Sequence, residues 1–270
     1  MRLKPGFTPD IAQQILSKAL LEWQNLQSSR DGWNDYFRVV DAVDRQLSQC
    51  FSEPDLGAVL YQGHFGLLVG SGRMSTVTPR LMMREISKQI EVLEHAQEEL
   101  RLLRAYADRS GTPVVYDTNM LVHWLSPDQV KWVEVLRAEG VRTSEVRLVV
   151  PLIVVDELDR QKSGTGQLGE RAAKAIRYLQ SALSSGTPGE PVQIQPGVTL
   201  EVRLDPLGHQ RGDADMEILL CAAELDQLKP NGGTRVLSDD FGMHLRAQGL
   251  RLLAMRLPAH CRKDRQASSG

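Results

Sequence analysis

The hydrophobic pattern of the chain changes at a short polar segment, residues 108–113. Before it, apolar residues recur at helical spacing, as in the series from Ile11 to Leu26 and in a long charged helix that opens at Pro79. Beyond it, short apolar segments alternate with helical ones, which is the order expected of an α/β unit with a mostly parallel sheet. The sequence therefore predicts an all-α domain over residues 1–107 and an α/β domain over residues 113–256.

The composition is that of an ordinary globular protein, with 41% hydrophobic and 24% charged residues in a chain of 270. The net charge is −2, so the chain as a whole is not a basic nucleic-acid-binding protein. Three cysteines without C-x-x-C spacing predict neither a zinc site nor a disulfide framework, and they fit a cytoplasmic location. No apolar stretch approaches the length of about 20 residues that a membrane-spanning helix needs.

The C-terminal end is basic. From Phe241 onward the chain carries six Arg or Lys residues and one acid, Asp264. Such an excess is typical of a solvated tail, and it is also the charge that a phosphate contact requires. We expect residues 257–270 to form a basic, disordered tail.

Acidic residues of the α/β half follow predicted strands or open predicted helices. The acids in these positions are Asp117, Glu157, Asp213, Asp215, Asp239 and Asp240. Glu157 is expected to open a helix directly after the apolar run from Leu148 to Val155. Because the carboxyl ends of parallel strands share one edge of a sheet, we expect these acids to converge there. Taken singly, each of them is better explained as a helix cap than as a ligand, so the expectation rests on their combination.

A group of carboxylates at one edge restricts the chemistry of the site. Gathered carboxylates repel one another unless protons or cations intervene. Hard divalent cations prefer oxygen ligands, so Mg²⁺ or Mn²⁺ is the expected cofactor, and no cluster of His or Cys competes for this role. One or two such ions can activate water for attack on a phosphodiester.

Four segments resemble, in order, the four motifs of PIN domains. They are VYDTNML at 115–121, VPLIVVDELD at 150–159, GDADMEIL at 212–219 and VLSDDF at 236–241. The resemblance covers about residues 113–256. It implies a three-layer α/β/α fold and a nuclease that usually cuts single-stranded RNA with Mg²⁺ or Mn²⁺, although some members of the family act on DNA and some have lost activity.

By motif match, the resemblance also implies which acids are catalytic and bind metal. These are Asp117, Glu157, Asp215 and Asp240. Asp213 competes with Asp215; we prefer Asp215, because an apolar residue follows it by three positions, and keep Asp213 as an auxiliary ligand. Asp239 competes with Asp240, and we prefer Asp240 because it lies two positions beyond Ser238.

Supporting residues are predicted around these acids. The resemblance assigns Asn119 and Ser238 to hydrogen bonds that orient them. A polar, glycine-containing loop at residues 159–171 carries Lys162 and Arg171, which are candidates for contacts with substrate phosphates. The alternative for this loop is a solvated segment in which Arg171 forms an ion pair.

The predicted function is a metal-dependent endonuclease that hydrolyses single-stranded RNA by a metal-activated water. The alternative is a catalytically inactive module of the same fold that binds nucleic acid or acts as a scaffold. No motif in residues 1–107 carries chemistry, so this half is a candidate for substrate selection, self-association or binding of a protein partner.

Overall fold

The computed structural model divides the chain into two compact units, Met1–Asp108 and Arg109–Gly270. The residues that it describes are 3–4, 6–29, 32–52, 65–71, 78–205 and 209–263. No helix within these ranges combines the length and the apolar character that crossing a membrane requires.

The first unit is helical. Its described helices are α1 (Pro9–Leu26), α2 (Gly32–Cys50), α3 (Phe65–Ser71) and α4 (Thr78–Ala107). The Thr8 side chain accepts from the Ile11 N–H at 3.4 Å and caps α1, which has Pro9 in its first turn. The core contains an edge-to-face pair of Trp23 and Tyr36, with ring centroids 5.9 Å apart. The prediction of a helical region ahead of the strands is confirmed.

The second unit is built on a six-stranded sheet. Its strands are β1 (Thr112–Tyr116), β2 (Val146–Pro151), β3 (Val192–Gln195), β4 (Val198–Arg203), β5 (Arg235–Leu237) and β6 (Leu253–Met255). They lie in the order β3-β4-β2-β1-β5-β6; β3 is antiparallel to β4, and the other neighbours are parallel. Every residue of β1 and β2 is buried, so both faces of the central sheet are covered. The predicted α/β class with a mostly parallel sheet is confirmed.

Helices follow most of the strands. They are α5 (Thr118–His123), α6 (Trp132–Ala138), α7 (Leu152–Lys162), α8 (Gln167–Leu183), α9 (Ala214–Leu228) and α10 (Phe241–Gly249), with 3₁₀ turns at Pro127–Gln129 and Ala259–Cys261. From β1 the sheet continues through β2 on one side and through β5 on the other. The strand order therefore reverses at β1 and β5, and in open α/β sheets the crevice at such a point binds ligands.

The apolar run from Leu148 to Val155 is shared between two elements. Strand β2 ends at Pro151, and α7 begins at the next residue. Because proline lacks an N–H and cannot extend the ladder, the strand stops in the middle of the run. The last four residues of the run form the first turn of α7, in which Ile153 and Val154 are buried. Glu157 therefore lies in the second turn of this helix, and the expectation that it opens the helix is wrong.

The described part of the basic C-terminal segment packs on the second unit. Leu257 and Cys261 are buried, and the Leu125 N–H donates to the Cys261 carbonyl at 2.8 Å. The expectation of a disordered tail is therefore wrong for residues 257–263, because two apolar side chains and a β-bridge between Trp124 and Arg262 hold the segment in place. Residues 264–270 lie outside the described residues.

A buried ion pair joins β2 to β4. The Arg147 guanidinium lies 2.6 Å from Glu201 Oε1, and both side chains are almost completely excluded from water. Arg109 also donates to Glu201, on the other carboxylate oxygen. Charges buried this deeply are tolerated when each has its partner, so the pair constrains which strands can lie side by side.

We predict that Glu201→Gln destabilises the second unit by about 3–5 kcal/mol, because the Arg147 charge stays buried without its carboxylate. Amide hydrogen exchange of β2 and β4 measures this in the full chain, since it reports on the unit that contains these strands. The control is Glu190→Gln, which removes an acid that pairs with Arg109 but is 60% exposed. Equal exchange in the two variants would show that the buried pair contributes no more than a surface contact.

Candidate functional site

Asp117 lies at the centre of the predicted acidic group. It follows the last residue of β1 and is only 4% exposed. Its carboxylate accepts from the Asn119 N–H at 3.4 Å, which caps α5, and from the Ser238 hydroxyl at 2.6 Å. The end of β1 therefore presents a buried carboxylate with two donors already in place.

Ser238 connects the ends of two neighbouring strands. It directly follows β5, is completely buried, and donates to Asp117 while accepting from the Asp240 N–H at 3.1 Å. The Asp240 carboxylate then caps α10 by accepting from the N–H groups of Gly242 and Met243, at 2.6 and 3.3 Å. One hydroxyl thus sets the positions of two of the predicted acids.

Two further predicted acids act on Asp117 through their charges. Burial raises the pKa of the Asp117 carboxyl, while its hydrogen bonds with Ser238 and Asn119 lower it. The negative charges of Asp215 and Glu157 raise this pKa further. Acids of α7 and α9 therefore lie close enough to the carboxylate that follows β1 to repel it.

Protein donors also hold these two acids. The Glu157 carboxylate accepts from the Thr118 hydroxyl at the start of α5. Asp215, on the first turn of α9, forms an ion pair with Arg246 of α10. Each carboxylate is thus held by a neighbour from a different element, Glu157 by a neutral hydroxyl and Asp215 by a guanidinium.

A cleft of about 570 Å³ opens beside Glu157. Its lining residues are Ile153, Asp156, Glu157, Arg160, Arg211, Gly212, Asp213 and Ala214. Arg211 bridges Asp156 and Asp205 within it. Asp213 is the residue before α9, but its side chain accepts no capping hydrogen bond. The cleft thus combines acids with two guanidinium groups, of which Arg160 is exposed.

The acids do not form a ready-made ligand set. Within the ranges that the structure describes, no three His, Cys, Asp or Glu side chains are arranged so that they could hold a metal ion. The donor chemistry nevertheless suits a hard divalent cation, because all the groups are carboxylates and Asp117 is buried against like charges. The contacts with Arg246 and Thr118 each engage one carboxylate oxygen, Oδ2 of Asp215 and Oε2 of Glu157.

The other predicted residues occupy different positions around this group. Asn119 donates its backbone N–H to Asp117, and its side chain is exposed. Lys162 forms an exposed ion pair with Asp159, and Arg171 contacts the Nδ1 atom of His123 at 3.3 Å. Asp239, the residue weighed against Asp240, is exposed and lies 3.9 Å from the Arg256 guanidinium.

Three residues that contact the acids of the site were not predicted from the sequence, namely Thr118, Arg211 and Arg246. Thr118 had a usable signal, since it lies next to Asp117 within the first motif and carries a hydroxyl that can donate. No local sequence pattern marks the two arginines, because each pairs with an acid from a separate element of the fold.

One comparison with known proteins identifies a family. A family profile described as “PIN domain” matches residues 114–257, more than half of the chain. A solved structure described as “a domain of a functionally unknown protein from Methanocaldococcus jannaschii DSM 2661” is 17% identical to this chain. The match covers 55% of this chain and 93% of that one, and its TM-score of 0.36 is too low to bear on the fold. No curated protein matches the chain significantly.

We predict that Asp117→Asn raises the melting temperature of the protein at neutral pH in EDTA. Because the pKa of Asp117 is raised in the folded protein, its contribution to stability is present below the unfolded pKa and is lost as pH rises through the folded pKa. An uncharged amide avoids that loss, so the gain should shrink as pH is lowered.

Asp239→Asn is the matched control for this experiment, since it removes a neighbouring but exposed acid and should leave the melting temperature unchanged. A lower melting temperature for Asp117→Asn at neutral pH would contradict the view that Asp117 is destabilised by burial and like charge.

Proposed function

Because the chain belongs to the PIN domain family, a family of nucleases, we propose that it is a metal-dependent endonuclease that hydrolyses single-stranded RNA. The observation that carries the proposal is the position of Asp117. It lies where the strand order reverses, with Glu157 and Asp215 near enough to raise its pKa and Ser238 and Asp240 at the end of the adjacent strand. Ligand sites of open α/β sheets occur at this position.

The residues that would hold Mg²⁺ or Mn²⁺ are Asp117, Glu157, Asp215 and Asp240, with Asp213 as an auxiliary ligand. A divalent ion bound by such carboxylates lowers the pKa of its water and stabilises negative charge on a phosphodiester. The fit rests on a donor set of carboxylates alone and on the like charges that act on the buried Asp117.

The remaining residues orient the acids and the substrate. The Ser238 hydroxyl holds Asp117, and we assign to Asn119 a supporting role through its N–H to the same carboxylate. Lys162 and Arg171 stay candidates for contacts with substrate phosphates. The exposed ion pair of Lys162 with Asp159 does not prevent this, since surface pairs contribute little and exchange readily.

A second candidate is a module that binds nucleic acid, or acts as a scaffold, without cleaving. The observation that favours it is that protein donors already satisfy the acids, above all Arg246 at Asp215. Divalent metal binding separates the two candidates. A cytoplasmic location, and self-association or partner binding through residues 1–107, stay predictions.

The cleavage prediction concerns labelled single-stranded RNA incubated with Mn²⁺. We expect products with 5′-phosphate and 3′-hydroxyl ends, because attack by water does not use the RNA 2′-hydroxyl. EDTA, Asp117→Asn and Asp240→Asn should abolish cleavage. Ser238→Ala should slow it by about 10–100-fold, as the loss of a group that orients a metal ligand does.

Asp239→Asn is the matched control, because it removes the adjacent exposed acid, and it should cleave as the wild type does. Products that end in 2′,3′-cyclic phosphate would indicate attack by the 2′-hydroxyl and refute the mechanism. Cleavage that persists in EDTA would assign the activity to another protein in the preparation.

The metal prediction concerns Arg246. If its guanidinium occupies Asp215 in the metal-free protein, Arg246→Gln should increase the rise in melting temperature that Mn²⁺ produces, because the ion no longer competes with a fixed positive charge. The shift is measured against the metal-free melting temperature of each variant. Arg251→Gln, an exposed arginine just beyond α10, is the control. An unchanged or smaller shift in Arg246→Gln would refute competition at Asp215.

A further inference from the structure

Three basic side chains lie together beside the C-terminal end of α5. Lys263 Nζ donates to the carbonyls of Leu121 and Val122, at 3.0 and 3.1 Å. Arg171, near the start of α8, contacts His123, the last residue of α5. Lys174 is three positions further along α8 and is exposed, so it shares a helix face with Arg171. We call Arg171, Lys174 and Lys263 the α5 basic cluster.

The C-terminal segment is fixed firmly enough to keep Lys263 in this cluster. Trp124 and Arg262 form a β-bridge, and the Arg262 guanidinium lies 5.9 Å from the centroid of the Trp124 ring. Cys261 is buried and accepts from the Leu125 N–H. Lys263 is therefore placed by folded structure, although it lies close to the end of the chain.

The cations of the cluster repel one another. Burial lowers the pKa of Lys263, and the positive charges of Arg171 and Lys174 lower it further. The two carbonyls at the end of α5 offset part of this repulsion, as helix C-termini do for cations. Glu170 is a nearby acid in sequence, but Lys174 and Lys263 form no ion pair with it or with any other residue that the structure describes. An anion that binds here would gain from all three charges.

Helix α5 connects the cluster to the proposed catalytic residue Asp117. Helix α5 has six residues and begins directly after Asp117, so its length is about 9 Å. Thr118 at its start contacts Glu157, and its last residue contacts Arg171. The cluster therefore lies about the length of α5 away from Asp117.

We propose that the α5 basic cluster binds a backbone phosphate of the nucleic acid a short distance along the strand from the bond that is cut. The inference rests on the proposed function, because it places the cluster relative to the cleavage site. Nucleic acid is favoured over an acidic protein partner, because α5 connects the cluster directly to the acids that would handle a phosphodiester. Basic side chains that contact phosphate supply most of the affinity of such complexes without reading sequence.

The test uses the full chain carrying Asp117→Asn, which prevents cleavage, and a fluorescent oligouridylate as the probe. Fluorescence anisotropy gives the affinity over a series of salt concentrations. Adding Lys174→Gln and Lys263→Gln should weaken binding and reduce the slope of log K against log [salt] by about 0.7, because the cluster contacts one phosphate and each phosphate contact on a single strand contributes about 0.7. Lys174→Gln alone changes one exposed side chain and should reduce the slope by less than the double variant does.

The matched control is Arg137→Gln with Arg142→Gln, which removes the same charge. These two exposed residues precede β2 and so belong to the opposite, amino edge of the sheet. They should leave the slope unchanged.

The outcomes are distinguishable. If the parent binds RNA and the cluster variants bind it with the same slope as the control, the cluster is not a phosphate site, whereas the proposed function stands. If polyglutamate binds the parent and the cluster variants lose that binding but keep RNA binding, the cluster serves an acidic protein and this proposal is wrong. If the parent binds no RNA and the wild type cleaves none, the proposed function fails and the assignment of the cluster fails with it.

Discussion

The candidate site depends on one buried hydroxyl, that of Ser238, at the place where β1 and β5 end side by side. It donates to Asp117 and accepts from the Asp240 N–H, so its proton and one of its lone pairs are both used in hydrogen bonds. Because the Asp240 carboxylate caps α10, the same hydroxyl also sets where that helix starts. Helix α10 in turn brings Arg246 to Asp215 on α9. The buried hydroxyl of Ser238 therefore positions Asp117 and Asp240 directly, and it influences Asp215 through α10 and Arg246.

Different protein donors stabilise the individual acids of the site. Glu157 accepts a hydrogen bond from a hydroxyl, Asp240 accepts from two N–H groups, and Asp215 pairs with a guanidinium. Asp117 is buried, and neighbouring negative charges raise its pKa. The Thr118 hydroxyl and the Arg246 guanidinium each contact one carboxylate oxygen, Oε2 of Glu157 and Oδ2 of Asp215. A cation bound by Asp215 would compete with the positive charge of Arg246, so its affinity is the difference between the two states rather than the strength of its own bonds.

Much of this site could be predicted from the sequence, because its signals are local. A strand is followed at once by an acid, and the order of four such segments is visible without any tertiary information. The position of Glu157 was predicted less well, since an apolar run alone does not reveal that Pro151 divides it between a strand and a helix. The C-terminal segment was also predicted less well. Its basic composition indicated a disordered tail, although Leu257 and Cys261 are buried.

The remaining features depend on contacts between distant segments. Arg246 meets Asp215 across α9 and α10, Arg147 meets Glu201 across two strands, and Lys263 reaches the end of α5 from the far end of the chain. None of these residues has a neighbour in sequence that would indicate its partner. Their positions follow from the register of the sheet and from the packing of helices, which a single sequence does not specify.

The most direct test of the central claim is a crystal of the full chain soaked in Mn²⁺ and measured at the manganese absorption edge. The account predicts an anomalous peak about 2.1 Å from a carboxylate oxygen of Asp117, with at least one of Glu157, Asp215 and Asp240 as a further ligand and with Arg246 moved away from Asp215. A saturated crystal with no peak at Asp117, and with the pair of Arg246 and Asp215 intact, would contradict it.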